Sequence, residues 1–207
     1  MKLQHLPRPE EALPGRTHGP RLAPPPHAVL GTGLVPPFPA GTAEAHLGMG
    51  CFWGAERLFW GLPGVHTTAV GYAGGLTPNP TYAEICTGLT GHAEVVRVVY
   101  VPETMPFSRL VATFFSHHDP TQGMRQGNDI GTQYRSVLFV PAPQQAEAEA
   151  IRDRYGATLL AHGLPTVGTE IGPLPPFYYA EDYHQQYLAR NPDGYCGLRG
   201  TGIPCLL

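Results

Sequence analysis

Proline placement sets the first limit on what this chain can fold into. Ten of its 24 prolines fall before residue 43, among them the runs PPP at 24–26 and PPFP at 36–39. Each proline fixes φ and removes a backbone donor, so a stretch this dense continues neither a helix nor a central strand. Residues 1–42 show no period of 2 or 3.6 and read as an arm in extended or polyproline conformation, either wrapped on the domain or loose. Regular structure is expected only from residue 43 onward, where the rest of a 207-residue chain leaves room for one well-packed core.

From there the pattern alternates between the two periods. Ala43, Ala45, Leu47 and Met49 repeat every second residue as a strand does, Gly48 and Gly50 bracket the strand's end, and CFWGAERLFW then carries aromatics at helical spacing until GLPG stops it. VHTTAVGYAGG and GHAEVVRVVYVP predict a second and third strand, SRLVATFFSHHDP a short helix, and RSVLFVP a fourth strand. PQQAEAEAIRDRYGATLLAHG reads as the best-formed helix, TVGTEI as an edge strand and AEDYHQQYLAR as a last short helix. Strands and helices in this order imply an α+β domain, with helices over one face of a mixed sheet. The domain is expected to span residues 43–207, and its glycine-rich end, 191–207, to be a mobile tail.

Charge and cysteine content narrow the function. A formal charge of −3 and a pI near 6.3 give no electrostatic reason to expect nucleic acid or an anionic membrane surface as partner. No stretch has the ~18 apolar residues of a membrane helix, and the N-terminus resembles neither a secretory signal nor a transit peptide; the expectation is a cytoplasmic protein. In a reducing compartment the four cysteines, Cys51, Cys86, Cys196 and Cys205, are unlike a static disulfide framework.

Cys51 stands where the first strand becomes the first helix. Unpaired N–H groups and the helix dipole there favour an anion, which is expected to lower a thiol pKa that is otherwise about 8.5 and to make Cys51 a nucleophile. A small core hydrophobe satisfies the same position. Strand alternation puts His92 and Glu94 on the face of Val96 and Val98, where a carboxylate is costly unless paired or protonated. An edge glutamate facing water is the bland alternative. His-x-Glu also begins the zinc deaminase signature, but Pro204-Cys205 lacks the second cysteine that motif requires. Glu56 is read as a favourable charge in the first turn of its own helix, Cys86 as a structural core residue, and one or both of His117 and His118 as surface or capping residues. His184 is left between positioning the site and lying on a helix surface, and Tyr178, Tyr179 and Tyr195 are left unassigned near the pocket.

The segments GCFWGAE at 50–56, GYAGG at 71–75, PTYAEICTGLTGHAEVV at 80–96, HDPTQGMRQGNDIGTQYRS at 118–136 and PDGYCG at 192–197 together resemble the successive motifs of the peptide methionine sulfoxide reductase A family. They occur in family order and extend the resemblance over about residues 43–207. The resemblance implies a two-layer sandwich with a ferredoxin-like core, a mixed sheet and long coil segments at both ends. It also implies reduction of the S epimer of methionine sulfoxide, free or in oxidised proteins, with no bound cofactor or metal and with thioredoxin supplying the electrons. A monomer is expected.

Carried onto this sequence, the resemblance makes Cys51 the nucleophile and Glu94 the donor to the sulfoxide oxygen, with Tyr82 and Tyr134 as further donors. Phe52 and Trp53 form the recess for the S-methyl group, and Asp129 lies at the pocket wall. Cys196 and then Cys205 resolve the oxidised Cys51, passing a disulfide from Cys51–Cys196 to Cys196–Cys205. Two anions side by side repel, so the working pair is expected to be a thiolate and a neutral acid. The alternative classes are a non-catalytic binder of oxidised methionine or a redox sensor, and a zinc-dependent deaminase. Loss of the acid or of the resolving thiols would favour the first, and this sequence keeps all of them.

Overall fold

The computed structural model describes residues 5–19 and 25–207. Strand β1 (Ala43–Met49) leads into helix α1 (Phe52–Trp60), and β2 (Val65–Ala73) returns to α2 (Tyr82–Ile85) and β3 (Ala93–Tyr100). Helix α3 (Phe107–His117), a hairpin of β4 (Arg125–Gln126) and β5 (Asp129–Ile130), and a 3-10 turn (Thr132–Tyr134) precede β6 (Ser136–Val140). Helix α4 (Gln145–Ala161), β7 (Glu170–Pro173), β8 (Tyr178–Tyr179) and α5 (Tyr187–Arg190) complete the order.

Six strands form one sheet in the order β7-β6-β1-β3-β2-β8. Only the β6–β7 pair is parallel, which makes the sheet mixed. Its two faces follow directly from alternation. Ala45, Leu47, Met49, Val70, Tyr72, Val96, Val98, Leu138 and Val140 join Phe52, Phe59, Leu110, Phe114, Ile151 and Tyr155 of the helices in the main core. Ala73, Ala93, Val95, Val137 and Phe139 form a smaller cluster on the other face, against Leu174 and Phe177.

This topology positions the site. β1 and β3 are antiparallel neighbours, so the end of β1, where Cys51 follows, lies beside the beginning of β3, which carries Glu94. The turn between β1 and α1 depends on Gly50, whose φ is +87° and whose missing Cβ would lie 2.6 Å from the Gln126 Cβ.

The arm lies on the domain along both described stretches. Leu13 exchanges bonds with the turns near Leu89 and Thr77, Arg16 pairs with Glu84 at 2.7 Å, and the buried Leu34 offers its carbonyl to the Tyr179 hydroxyl. The run at 24–26 begins outside the described residues, since 20–24 are not among them.

Three sequence expectations need correction. The last helix is only Tyr187–Arg190, because Gln186 takes φ +46° and the residues before it form turns. The edge strand starts at Glu170 rather than near Thr166. Helix α2 forms where no helix is expected, on a capping box at Thr81-Tyr82-Ala83-Glu84 in which Thr81 and Glu84 bond each other's backbone.

Candidate active site

Helix α1 begins with two backbone donors that serve the two reactive candidates. Phe52 N–H donates to Glu94 Oε2 at 3.1 Å, and the Trp53 N–H favours charge on the Cys51 sulfur without closing a cap hydrogen bond. Cys51 is the N-cap residue and makes no side-chain cap of its own. Glu94 is buried, 2% exposed, at the head of a strand whose next inward residues are Val96 and Val98. Thiol and carboxyl therefore share the positive end of one helix, where one negative charge is favoured and a second is repelled.

Burial decides which of them is charged. It pushes the Glu94 carboxyl up to about 8, with the Asp129 charge adding to the effect and the Phe52 N–H opposing it. Glu94 is thus a neutral acid near pH 7, as the strand pattern suggested. Cys51 corrects the expectation of a depressed thiol. Burial raises it well above its ordinary value, the Glu94 and Asp129 charges raise it further, and the Trp53 N–H opposes them without prevailing. The helix end is present, but desolvation outweighs it. The resting pair is a thiol and an acid rather than a thiolate and an acid.

The hydroxyls of Tyr82 and Tyr134 face the same charges. Burial raises both, and both feel the Glu94 and Cys51 charges. Tyr82 opens α2, its N–H held by Glu181 at 2.8 Å, and Tyr134 closes the 3-10 turn before β6. A phenol with a raised pKa keeps its proton and can donate a hydrogen bond.

Phe52 is fully buried and lies 6.0 Å from the Tyr72 ring and 5.2 Å from the His184 ring. Trp53 is half-buried and stacks on Tyr187 with centroids 3.9 Å apart and planes 17° apart. Its indole N–H donates to His184 Nδ1 at 3.1 Å, which leaves the ring proton on Nε2. His184 is 1% exposed and also meets Tyr82 and Tyr183, so it is a wall of this recess and not a helix-surface residue. Tyr187, unremarked in the sequence, and Glu181, which takes the Tyr72 hydroxyl, belong to the same wall. The signal for them was the indole N–H, which needs an acceptor once Trp53 lines a dry recess.

Asp129 begins β5 of the short β4–β5 hairpin and accepts the Tyr195 hydroxyl at 2.9 Å, bringing the tail to the site. Cys196 follows Tyr195 and is exposed over the first turn of α1. A Cβ on Gly54 would lie 2.8 Å from its sulfur, which gives a physical reason for glycine inside a helix. Cys205 lies elsewhere. It is 7% exposed in the main core, its N–H bonded to Ser116 Oγ of α3 and its thiol raised by burial. In this state the second thiol is inward, and an exchange that moves the oxidised bond outward requires residues 196–205 to rearrange. All four cysteines are free.

Other sequence readings change. Cys86 is exposed, with its thiol in hydrogen-bonding contact with Tyr82, and is no core residue. His117 is exposed and His118 is the C-cap of α3, as the surface-or-capping reading expects; the His118 ring is buried and bonds Phe114 O and Ser136 Oγ. His92 accepts from Gly75 N–H and donates to Thr77 O, so neither ring nitrogen is offered to a zinc ion. Tyr178 lies against His92, Tyr179 bonds Arg97, and of the three unassigned tyrosines Tyr195 reaches the site. Glu56 does not serve the first turn of its own helix as a charge; it is fully buried and bonded to Thr68 and Gln186.

Known proteins of similar sequence and structure show the family of a chain that carries this arrangement of a thiol, a protonated carboxyl, phenols and an aromatic recess. The family model described as peptide methionine sulfoxide reductase matches residues 43–202. A peptide methionine sulfoxide reductase MsrA of Methylococcus capsulatus is 61% identical over 97% of this chain and 90% of its own length. The solved methionine sulfoxide reductase A of Corynebacterium diphtheriae superposes with a TM-score of 0.88 at 49% identity, covering 97% of this chain and 98% of that one. Mxr1 from Saccharomyces cerevisiae, solved in complex with Trx2, gives 0.53 at 26% identity over 74% and 89%. The chain belongs to the peptide methionine sulfoxide reductase family and is an enzyme that reduces methionine sulfoxide.

Proposed function

We propose that the enzyme reduces the S epimer through attack of Cys51 on the sulfoxide sulfur, with Glu94 donating the proton that the oxygen needs. The observation that carries this is the placing of a thiol and a carboxyl, both kept protonated by burial, at the N-terminus of α1, where the Phe52 N–H holds the Glu94 carboxyl. A sulfoxide oxygen leaves only once it has gained a proton, so an acid beside the nucleophile is a chemical requirement. With the S-methyl group against Phe52 and Trp53, the oxygen toward Glu94, Tyr82 and Tyr134, and the rest of the substrate toward solvent, three directions around sulfur are assigned and one epimer fits.

The protons close within the pair. As sulfur bonds to sulfur, the Glu94 proton passes to the oxygen and the Cys51 proton passes to the Glu94 carboxylate. The hydroxyl then passes from the substrate sulfur to the Cys51 sulfur: the substrate S–O bond and the new S–S bond break as a Cys51 S–O bond forms, leaving methionine and a Cys51 sulfenic acid. The Trp53 N–H supports the negative charge that develops on the Cys51 sulfur. Asp129 helps Glu94 keep its proton.

The Cys196 thiol next displaces water from the sulfenic acid to give Cys51–Cys196, and the Cys205 thiol exchanges onto Cys196 and frees Cys51. Position supports the first step, since Cys196 lies over α1. The second step needs the tail, residues 191–207, to be mobile. A thioredoxin dithiol then reduces Cys196–Cys205 and takes up the disulfide, a reading supported by the Mxr1 structure in complex with Trx2. No cofactor need be bound, because every electron passes through sulfur. A cycle that must restore free thiols suits a reducing compartment, and we place it in the cytoplasm. Free methionine sulfoxide and oxidised proteins are the substrates, and the site is complete within one chain, consistent with a monomer. Nucleic acid and membrane play no part in this cycle.

The strand order β6-β1-β3-β2, with α1 and α3 as crossovers, supports a ferredoxin-like two-layer core with coil at both ends. The proline-rich arm, 1–42, is then an addition to a catalytic domain at 43–207. The test of the reaction is a thioredoxin-coupled assay on the separated epimers. Turnover of S alone is expected, and activity on R alone or on neither would overturn it. After one turnover, mass spectrometry of Cys205→Ser should find Cys51 joined to Cys196; a lasting sulfenic acid with Cys196 free would refute the relay.

A further inference from the structure

We propose that the proline-rich arm is a working part of the substrate recess: His27 and Thr68 are positioning residues that, through Glu56 and Gln186, hold His184 and Tyr187 against Trp53. The inference rests on the reading of Trp53 as a recess wall. It begins with His27, which is 1% exposed although it stands in a segment without helix or strand. Its Nδ1 accepts from the N–H groups of Val29 and Leu30, each at 3.1 Å, so the ring proton is on Nε2. Nε2 donates to Thr68 Oγ1 at 2.8 Å on the inward side of β2.

The direction of each later bond is then fixed. A hydroxyl that accepts from His27 gives its own proton onward, and Thr68 donates to Glu56 Oε1 at 3.1 Å. Gln186 donates to Glu56 twice at 2.8 Å, from its backbone N–H to Oε2 and from its side-chain amide to Oε1. Gln186 Oε1 accepts from Ala28 N–H at 3.3 Å, which returns to the arm beside His27. The bonds thus form a closed circuit, and each member is oriented by the next.

What the circuit holds is an unusual backbone. Gln186 has φ +46°, a left-handed conformation that costs about 1 kcal/mol or more for a residue with a side chain and persists only where its surroundings impose it. That turn places His184 on the Trp53 indole N–H and Tyr187 flat on the Trp53 ring. Relaxing it moves both contacts of Trp53 at once. The arm is therefore coupled to the recess by named bonds, while none of its described residues bonds Cys51 or Glu94.

The test uses the full chain. His27→Ala and Thr68→Val open the circuit, and Thr68→Ser keeps the hydroxyl. For the first two, KM for an S-epimer sulfoxide peptide is expected to rise about ten-fold with kcat changed less than about two-fold, and Thr68→Ser to restore the wild-type KM. Oxidation of Cys51 to the sulfenic acid by hydrogen peroxide, which releases water and needs no recess, should keep its rate. Fluorescence of Trp53, read in a Trp60→Phe background because Trp60 itself meets the His27 ring, should shift in His27→Ala and Thr68→Val and return in Thr68→Ser. A fall in Tm with KM and fluorescence both at wild-type values would overturn the proposal, as would failure of Thr68→Ser to rescue. A wild-type enzyme inactive on both epimers, with the fluorescence shifts as expected, would overturn the functional reading and support the circuit.

Discussion

Two carboxyls are buried at helix α1, Glu56 on the helix and Glu94 against its N-terminus, and the difference between them separates chemistry from scaffolding. Glu94 and Glu56 are 2% and 0% exposed, and burial raises them to about 8 and about 7. Glu56 is met by three donors, Thr68 Oγ1–H and two from Gln186, which spread over both oxygens and tie three parts of the chain together. Glu94 is met by one backbone N–H and otherwise by a thiol and two phenols whose electrostatics it shares. Burial alone makes an unusual acid in either place. A carboxyl already bonded by its surroundings holds a structure, and one left beside a nucleophile can give a proton away.

The comparison is broken most severely at Cys51 and Glu94. Cys51→Ser should abolish turnover, because an alcohol there forms no sulfenic acid. Glu94→Ala should lower kcat/KM by a factor of about 100 or more, the scale of a lost general acid, while Glu94→Gln, which still donates from its amide, should lose only about ten-fold. Single-turnover release of methionine measures all three. Equal losses in the Ala and Gln variants would remove Glu94 from the role of donor.

How much of this was legible in the sequence depends on distance along the chain. β1, α1, β2, β3 and α4 are readable because each carries a local signal (alternation, aromatics at helical spacing, β-branched runs, or proline and glycine at the helix ends), and Glu94 stands out because two-residue alternation sets a carboxylate in line with Val96 and Val98. Glu56 misled, since adjacency to Cys51 suggested a local role, and its partners Thr68 and Gln186 lie 12 and 130 positions away. His184 and Tyr187 were obscured for the same reason. The stretch 181–187 looks helical by composition, and the left-handed Gln186 that redirects it, bonded to the distant Glu56, carries no local signal. The thiol at Cys51 was misjudged in sign, because a helix end can be read from sequence while the depth of its burial cannot.

At Glu56 the expected loss is of stability. Glu56→Ala strands the buried Thr68 and Gln186 donors, at about 1–3 kcal/mol for each unsatisfied group, and a lowered Tm should show it. Glu56→Gln should cost less, since it keeps the shape and one acceptor. The pH dependence follows from sign. A carboxyl whose folded pKa is raised from 4.5 to about 7 favours the folded state at low pH, and that advantage is lost as pH rises from 4.5 through 7. Wild-type Tm should therefore lose more between pH 5 and pH 8 than that of Glu56→Gln, as calorimetry can measure.

A smaller effect concerns the thiol. Above pH 8 the ionised Glu94 is one of the charges that raises Cys51. Glu94→Gln removes it, so iodoacetamide should alkylate Cys51 faster in the variant than in wild type at pH 9, with the gap closing at pH 6. Mass spectrometry of the Cys51 peptide would follow it, and identical rates at pH 9 would mean that the two groups do not sense each other.

The most direct test of the shared-proton account is the single-turnover rate on an S-epimer substrate as a function of pH, in wild type and in Glu94→Gln. With Glu94 holding its proton up to about 8, the wild-type rate should fall as pH rises through that value, and the variant, which has no carboxyl to ionise, should lack that fall. A wild-type rate that climbs through pH 8, or a fall that is the same in both proteins, would contradict the account.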